Sequence, residues 1–340
     1  MKKVFFVFLA WTIFCLCGCA SERQEKRRVR YRQSQLTLGT IVHVDVCVSK
    51  EDIPRLERTY EALWKRLDRI YRLMNANNRS SDVYRLNHSG GRAVTLNPAT
   101  YHVLGQAKRY AELTGGAFDV TVLPLIHLWH DAQRGDYFPA ADAVKRVRAF
   151  VGWRGIELLG QNQARLKLPQ SKVHLGGIAK GYALDEIARI IRAAGWHDFY
   201  VEAGGDIYVG GQNCSGQPWR IAIRHPRSAK RWLDQLHLQD CAVTTSGDYE
   251  RYYIFRNQHW SHIINPITGY PQKGIVSATV VAPHAMLADA LSTALCVLPP
   301  KQGLNLIDRL GGGLGAVIMT ADDMNEPSQL YRSRRYKNFQ

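Results

Sequence analysis

Residues 40–74, "TIVHVDVCVSKEDIPRLERTYEALWKRLDRIYRLM", set two kinds of regular structure side by side. Val42, Val44, Val46 and Val48 fall on alternate positions, which sends them to one face of an extended chain and predicts a half-buried strand. Ser49 with Asp52 then makes a capping-box-like start. Ile53, Leu56, Tyr60, Leu63, Leu67, Ile70 and Met74 follow at spacings of three and four, the pattern of a long helix with one apolar face.

Working outward, the polar run "NANNRSSD" at 75–82 ends that helix, and a second helix is predicted from Pro98 to Leu113, closed by Gly115-Gly116. The run "GAFDVTVLPL" at 116–125 looks like a buried strand interrupted by Asp119. A short basic helix over 140–150 and a hairpin over 156–168, turning at Gly160-Gln161-Asn162, come next. A helix begins near Ile178 and ends by Gly195. Strand-like segments then dominate, before helices at 284–298 and 300–310 and a last strand, "GAVIMT". Most successive strands are joined by turns too short for a parallel crossover. The expected class is therefore α+β, with largely antiparallel sheets flanked by helices, in one compact unit over 34–325 that accommodates two interleaved lobes.

The chain has 340 residues and a formal charge of +16. Much of that charge lies in "ERQEKRRVRYR" at 22–32 and "YRSRRYK" at 331–337, which read as solvated tails. No aromatic-interleaved basic motif or zinc-finger spacing lies between them, so no nucleic-acid partner is expected. "MKK" followed by "VFFVFLAWTIFCLC" has the form of a signal peptide, too short for a comfortable membrane span. Leu16-Cys17-Gly18-Cys19 resembles a bacterial lipobox. The expectation is a lipoprotein signal peptide over 1–18, a lipid on Cys19, a basic tether over 19–33 and a basic tail over 326–340. That puts the protein in the cell envelope, on the periplasmic or extracytoplasmic face; Ala20 and Ser21 leave the choice of membrane open. Of the remaining cysteines, Cys47, Cys214, Cys241 and Cys296 allow several pairings, with Cys47 and Cys296 read as buried free thiols from their apolar surroundings.

Chemistry is suggested first by "HLGGIAKGYALDEI" at 174–187. Glycines let backbone approach a ligand closely, and the unpaired first amides of the following helix suit an anion. Asp289 and Thr293 lie four apart on a predicted helix, so a carboxylate and a hydroxyl share a face, both hard oxygen donors suited to magnesium. Alanines 285, 288, 290 and 294 leave room beside them. The loops "EAGGDIYVGG" (202–211), "TTSGDYER" (244–251) and "SHIINPITGYP" (261–271) each set glycine beside polar groups. His262 is a candidate proton acceptor.

Taken in order, "GAFDVTVLPL", "LGGIAKGYALDEI", "EAGGDIYVGG", "TTSGDYER", "HIINPITGYP" and "VVAPHAMLADALSTAL" resemble the FAD:protein FMN transferase family, the ApbE-type flavin transferases, from about Leu36 to about Met319. The resemblance implies a T-fold-like α+β architecture with Mg2+ as cofactor and FAD as substrate. It also implies transfer of the FMN moiety of FAD to a threonine or serine hydroxyl of an acceptor flavoprotein, with release of AMP. By position, Gly177, Asp289 and Thr293 would hold the metal, and Ala117, Phe118, Asp119, Lys180 and Asp185 would line the FAD site. His262 would stand beside the reacting phosphate or incoming hydroxyl. The chain departs from the family pattern at Leu38, Asn265 and Ile267, where methionine, aspartate and arginine are frequent. Two alternatives accompany this reading: a Mg-dependent pyrophosphatase giving FMN and AMP, and a flavin-binding lipoprotein without turnover.

Overall fold

A computed structural model describes residues 28–228, 230–248, 252–255, 258–321 and 329–340; the signal peptide and the lipobox cysteine lie outside them. In chain order the elements are β1 (Val29–Thr37), β2 (Thr40–Val48), α1 (Ile53–Met74), α2 (Asp82–Asn87), β3 (Val94–Thr95), α3 (Pro98–Leu113), α4 (Leu123–Arg134) and α5 (Ala141–Arg148). Then come β4 (Ile156–Gly160), β5 (Gln163–Leu166), α6 (Ala179–Ala193), β6 (Phe199–Ala203), β7 (Asp206–Gly210), β8 (Trp219–Arg224), β9 (Trp232–Leu238) and β10 (Cys241–Gly247). The last are β11 (Tyr252–Phe255), β12 (Gln258–Ser261), β13 (Ile275–Ala282), α7 (Ala285–Leu295), α8 (Pro300–Leu310), β14 (Gly315–Thr320) and β15 (Gln329–Arg332).

Eight strands form one sheet in the order β1-β2-β6-β7-β10-β13-β14-β15, with antiparallel neighbours throughout. The order rises with the chain, so the sheet is a meander from which other pieces loop out and return. α1 to α6 and the small sheet β3-β5-β4 leave between β2 and β6. The hairpins β8–β9 and β11–β12 leave after β7 and β10, and the pair α7–α8 leaves after β13. This is the α+β arrangement with antiparallel sheet and flanking helices that the sequence predicts.

Strand periodicity assigns the two faces. Val42, Val44, Val46 and Val48 join Leu56, Tyr60, Leu63, Leu67 and Ile70 of α1 and Ile187 and Ile191 of α6 in the largest core. Ala278, Val280, Ala316 and Ile318 carry the same face onto α7 and α8. The opposite face, with Cys47, Val209, Val243, Val281 and Val317, is covered by Trp219, Ile221, Leu236 and Leu238 of β8–β9. β2 is thus buried on both sides rather than one, because a hairpin from far along the chain covers its back. A separate cluster of Leu125, Trp129, Val144, Tyr253 and Ile264 forms a smaller lobe around α4, α5 and β11.

Three expectations need correction. The basic segments at the two ends are not both free tails. Residues 29–33 lie in β1, where Arg30 and Arg32 bond the fully buried Asp45 and Arg28 pairs with Asp198. At the other end β15 pairs with β14, Arg332 faces Asp234, and Tyr336 is buried. The arginines are drawn in by carboxylates that would otherwise be left buried without a counter-charge. Second, residues 116–122 are not a strand: the backbone turns there and continues as α4. Third, Cys47 is not a free thiol, because it is bonded to Cys214. Cys241 and Cys296 are buried thiols outside this disulfide.

The bond joins β2 to the loop between β7 and β8, stapling the covering hairpin to the sheet across 167 residues of chain. Replacing Cys47 and Cys214 with serine should lower stability to chemical denaturation by about 2–4 kcal/mol. Reductant should shift the wild-type midpoint toward that of the variant; a wild-type midpoint indifferent to reductant would mean that the two thiols are unpaired.

Candidate active site

The ladder registers bring the glycine-rich loops to one end of the large sheet. Val42 stands opposite Ala203, Ala203 opposite Asp206, Val243 opposite Ile207, and Gly247 opposite Ser277. The β1–β2 turn, the Gly204–Gly205 turn and the end of β10 therefore share an edge. A side chain at Gly204 would stand 3.0 Å from Thr40 Oγ1.

α6 and α7 meet above this edge, and each caps the other. Asp185 of α6 accepts hydrogen bonds from the amides of Ala285 (2.7 Å) and Met286 (3.0 Å), the first two residues of α7. Asp289 of α7 accepts from the amide of Gly181 in the first turn of α6 at 2.9 Å. Amides at a helix start have no intrahelical acceptor, so both carboxylates satisfy donors that would otherwise be buried unpaired. The helices touch through backbone at Gly181, where any Cβ would fall 2.6 Å from Met286 Cα.

One turn beyond Asp289, Thr293 faces the 176–178 loop. A Cβ on Gly177 would lie 3.1 Å from Thr293 Oγ1 and 3.4 Å from the Phe118 ring, so glycine keeps open the space in front of the hydroxyl. Phe118 and Ala117 are buried in the main core. The turn carrying them is held by Asp119, which accepts from the Thr121 amide (2.8 Å), the Thr121 hydroxyl (2.7 Å) and the Trp153 amide (2.9 Å). The residue that reads as an interruption of a strand is the one that folds the segment into a turn.

Lys180 forms an ion pair with Asp206, whose other oxygen accepts from the Thr245 amide at 3.3 Å. Asp206 is buried and lies in the "EAGGDIYVGG" loop; the sequence singled out that loop but not this residue. Burial pushes Asp206 up from the usual carboxylate range, opposed by Lys180. Asp289, 4% exposed, is pushed up to about 7 by burial and by the charge of Asp206, with Lys180 and the Gly181 amide acting the other way. Burial likewise raises Asp119 and Asp185, against the amides they bind. The carboxylates Asp185, Asp206 and Asp289 thus gather where Lys180 pairs with Asp206 and His284 acts on Asp185, and a divalent cation would relieve the burial and mutual repulsion that raise Asp289.

His262 is half-buried in the turn that follows β12. Its neighbour Ile263 packs in the same apolar cluster as Ala288 and Leu291 of α7, which ties this turn to the helix bearing Asp289 and Thr293. Asn265 Oδ1 accepts from the amides of Ile267 (2.8 Å) and Thr268 (3.2 Å), so its side chain shapes the loop, a task that needs an acceptor and no charge. Leu38 adopts the left-handed conformation (φ 55°) in the β1–β2 turn and packs on the main core.

Gly177, Phe118, Thr293, Asp289 and the start of α6 are thus brought together. Lys180 and Asp185 stand at the same helix junction, each already engaged with a carboxylate or with backbone amides. Among the described residues no three His, Cys, Asp or Glu side chains gather as a metal site. The donors at hand are instead one carboxylate, one hydroxyl and a glycine-lined backbone turn, all hard oxygen chemistry that fits magnesium completed by phosphate and water.

The sequence profile of the ApbE family matches residues 38–318, and the chain belongs to that family. It is 30% identical over 333 residues to the FAD:protein FMN transferase of Vibrio cholerae, covering 96% of each chain. It is 32% identical over 294 residues to the protein of the same name from Haemophilus influenzae, covering 84% of this chain and 85% of that one. The crystal structure of the ApbE protein from Thermotoga maritima superposes with a TM-score of 0.82 at 32% identity, over 92% of this chain and 99% of that one.

The raised pKa of Asp289 predicts a pH effect of definite sign. In the unfolded chain the carboxyl ionises near ~3.9; in the fold it holds its proton up to about 7. The stability it contributes is therefore complete below the unfolded value and is lost as pH rises through about 7. In chelator, lowering the pH from 8 to 5 should raise the melting temperature of the wild type more than that of Asp289→Asn, in which the Gly181 amide keeps an acceptor. Equal slopes would show that Asp289 does not titrate there.

Proposed function

We propose that this protein transfers the FMN moiety of FAD to a threonine or serine hydroxyl of an acceptor flavoprotein, releasing AMP, with Mg2+ as its cofactor. The observation that carries the reading is the junction of α6 and α7. There a glycine-lined turn faces the Thr293 hydroxyl one helical turn from a buried Asp289, which shares the nearby charge of Lys180 with Asp206. The names borne by relatives aligned along nearly the whole chain support the same activity.

Asp289, Thr293 and the backbone at Gly177 would hold the metal. Bound there, magnesium lowers the repulsion between an oxygen nucleophile and the anionic diphosphate and stabilises the departing AMP. The protein's own part is to fix these donors before the substrate arrives. Phe118, set on the turn that Asp119 ties, supplies an apolar wall next to them. His262 is assigned the proton of the acceptor hydroxyl as the new oxygen–phosphorus bond forms and the bond to AMP breaks. Lys180, neutralised by Asp206, serves mainly to hold the β6–β7 turn against α6, and adds little net charge toward phosphate.

The proposed setting is the extracytoplasmic face of a bacterial membrane, anchored by lipid at Cys19. The Cys47–Cys214 bond supports it, because such bonds persist in oxidising compartments and are rare in reducing ones.

Incubation with FAD and Mg2+, with and without a threonine-bearing acceptor protein, should give AMP together with flavin fluorescence on the acceptor. AMP without labelled protein would instead identify a pyrophosphatase, and neither product would leave only flavin binding. Asp289→Ala should abolish metal-dependent turnover; near-normal turnover would refute the metal assignment. His262→Ala should slow transfer by about 10²–10⁴-fold while FAD affinity changes little; equal losses in both would make His262 structural.

A further inference from the structure

Behind Thr293 runs a chain of hydroxyls that joins the "TTSGDYER" and "VVAPHAMLADALSTAL" segments. Ser246, at the end of β10, has its Oγ 3.4 Å from Thr293 Oγ1 and 2.9 Å from Ser292 Oγ. Ser292 Oγ in turn donates to the backbone carbonyl of Asp289 at 2.9 Å. Each hydroxyl has one proton to give and lone pairs with which to accept. A carbonyl oxygen only accepts, so the end of this chain fixes its direction. The proton of Ser292 is spent on Asp289, leaving Ser292 Oγ to accept from Ser246. The proton of Ser246 is then spent as well, and Ser246 Oγ is left to accept from Thr293.

We infer that Ser246 is a positioning residue that takes the proton of Thr293 and so turns the Thr293 lone pairs toward the Gly177 turn, ready for a divalent cation. This rests on the metal reading of Asp289 and Thr293 given above. A free threonine hydroxyl rotates among staggered positions, and in some of them its proton faces the cation. The directed chain removes those orientations. Ligand atoms are commonly oriented by such outer partners, whose loss costs about 10–100-fold in metal affinity. Ser246 comes from the sheet while Thr293 and Ser292 come from α7, so the contact also registers that helix against β10.

The test uses full-length protein in detergent with FAD, titrated with Mn2+ and followed by the electron paramagnetic resonance of the free ion, against a protein-free FAD blank. Ser246→Ala should weaken Mn2+ by about tenfold or more, Ser246→Thr should restore it, and melting temperatures in chelator should stay together. Ser292→Ala, which removes the acceptor of the Ser246 proton while leaving the Ser246 and Thr293 side chains in place, should also weaken Mn2+ and covers the case in which Ser246→Ala does not fold. Wild-type Mn2+ affinity in Ser246→Ala or in Ser292→Ala, with or without a change in melting temperature, overturns the inference. Asp289→Asn separates the two levels: if it binds Mn2+ as the wild type does, or if the wild type binds none, the metal reading itself fails. If Asp289→Asn alone loses Mn2+, only the role of Ser246 is wrong.

Discussion

The reciprocal capping of α6 and α7 is the constraint on which the site depends. Each helix begins with amides that its own backbone leaves unpaired, and each supplies the carboxylate that pairs with the other's. A hydrogen bond to such an acceptor contributes about 1.5–3 kcal/mol when the carboxylate is ionised, which for Asp289 holds only above about pH 7. More importantly, it fixes the relative rotation and translation of the two helices. Gly181 permits the close approach, since its missing side chain is where the backbone of α7 passes. Once that docking is set, Thr293 has one place to be, and that place is in front of Gly177.

The sheet below provides the other half of the frame. Its strands follow chain order, so every excursion leaves and returns between neighbours, and the antiparallel registers collect several turns at one end. Glycines occupy those turns because the chain must reverse within two residues, at positive φ, beside other backbone. Functional groups from far-apart segments are thereby gathered without long connecting loops. The back of the sheet is sealed by the β8–β9 hairpin and the Cys47–Cys214 bond, which leaves the candidate site on the helix face and the sheet end.

Charge is distributed in the opposite sense to the overall balance. The protein is strongly basic, yet its buried junction holds Asp185, Asp206 and Asp289 with Lys180 as the ionic partner of Asp206. Much of the surplus of arginine lies at the two ends of the chain, where it compensates buried or half-buried carboxylates such as Asp45 and Asp198. Net charge therefore said little about the site. What matters there is local: desolvated carboxylates and hydroxyls aimed into a space from which a side chain has been withheld.

Much of this was legible in the sequence because periodicity is a local property. The alternating valines of β2, the apolar stripe of α1, the glycine turn before α6 and the four-residue spacing of Asp289 and Thr293 follow from strand and helix geometry alone. The run 116–125 reads as a strand because a buried turn and a buried strand are equally apolar; the bonds made by Asp119 distinguish them. The start of β1, residues 29–33, reads as part of a tether because its arginines look solvated until Asp45 is seen beneath them, although "VRYRQSQL" does alternate. The pairing of Cys47 with Cys214, the partnership of Lys180 with Asp206 and the hydroxyl chain through Ser246 join residues distant in sequence. By itself the sequence determined most of the strands and helices, though not β1 or the 116–122 turn, and which residue types are available for chemistry, since these depend on near neighbours. Tertiary structure alone decided which of those residues meet, because sheet register and helix docking are set by packing across the whole chain.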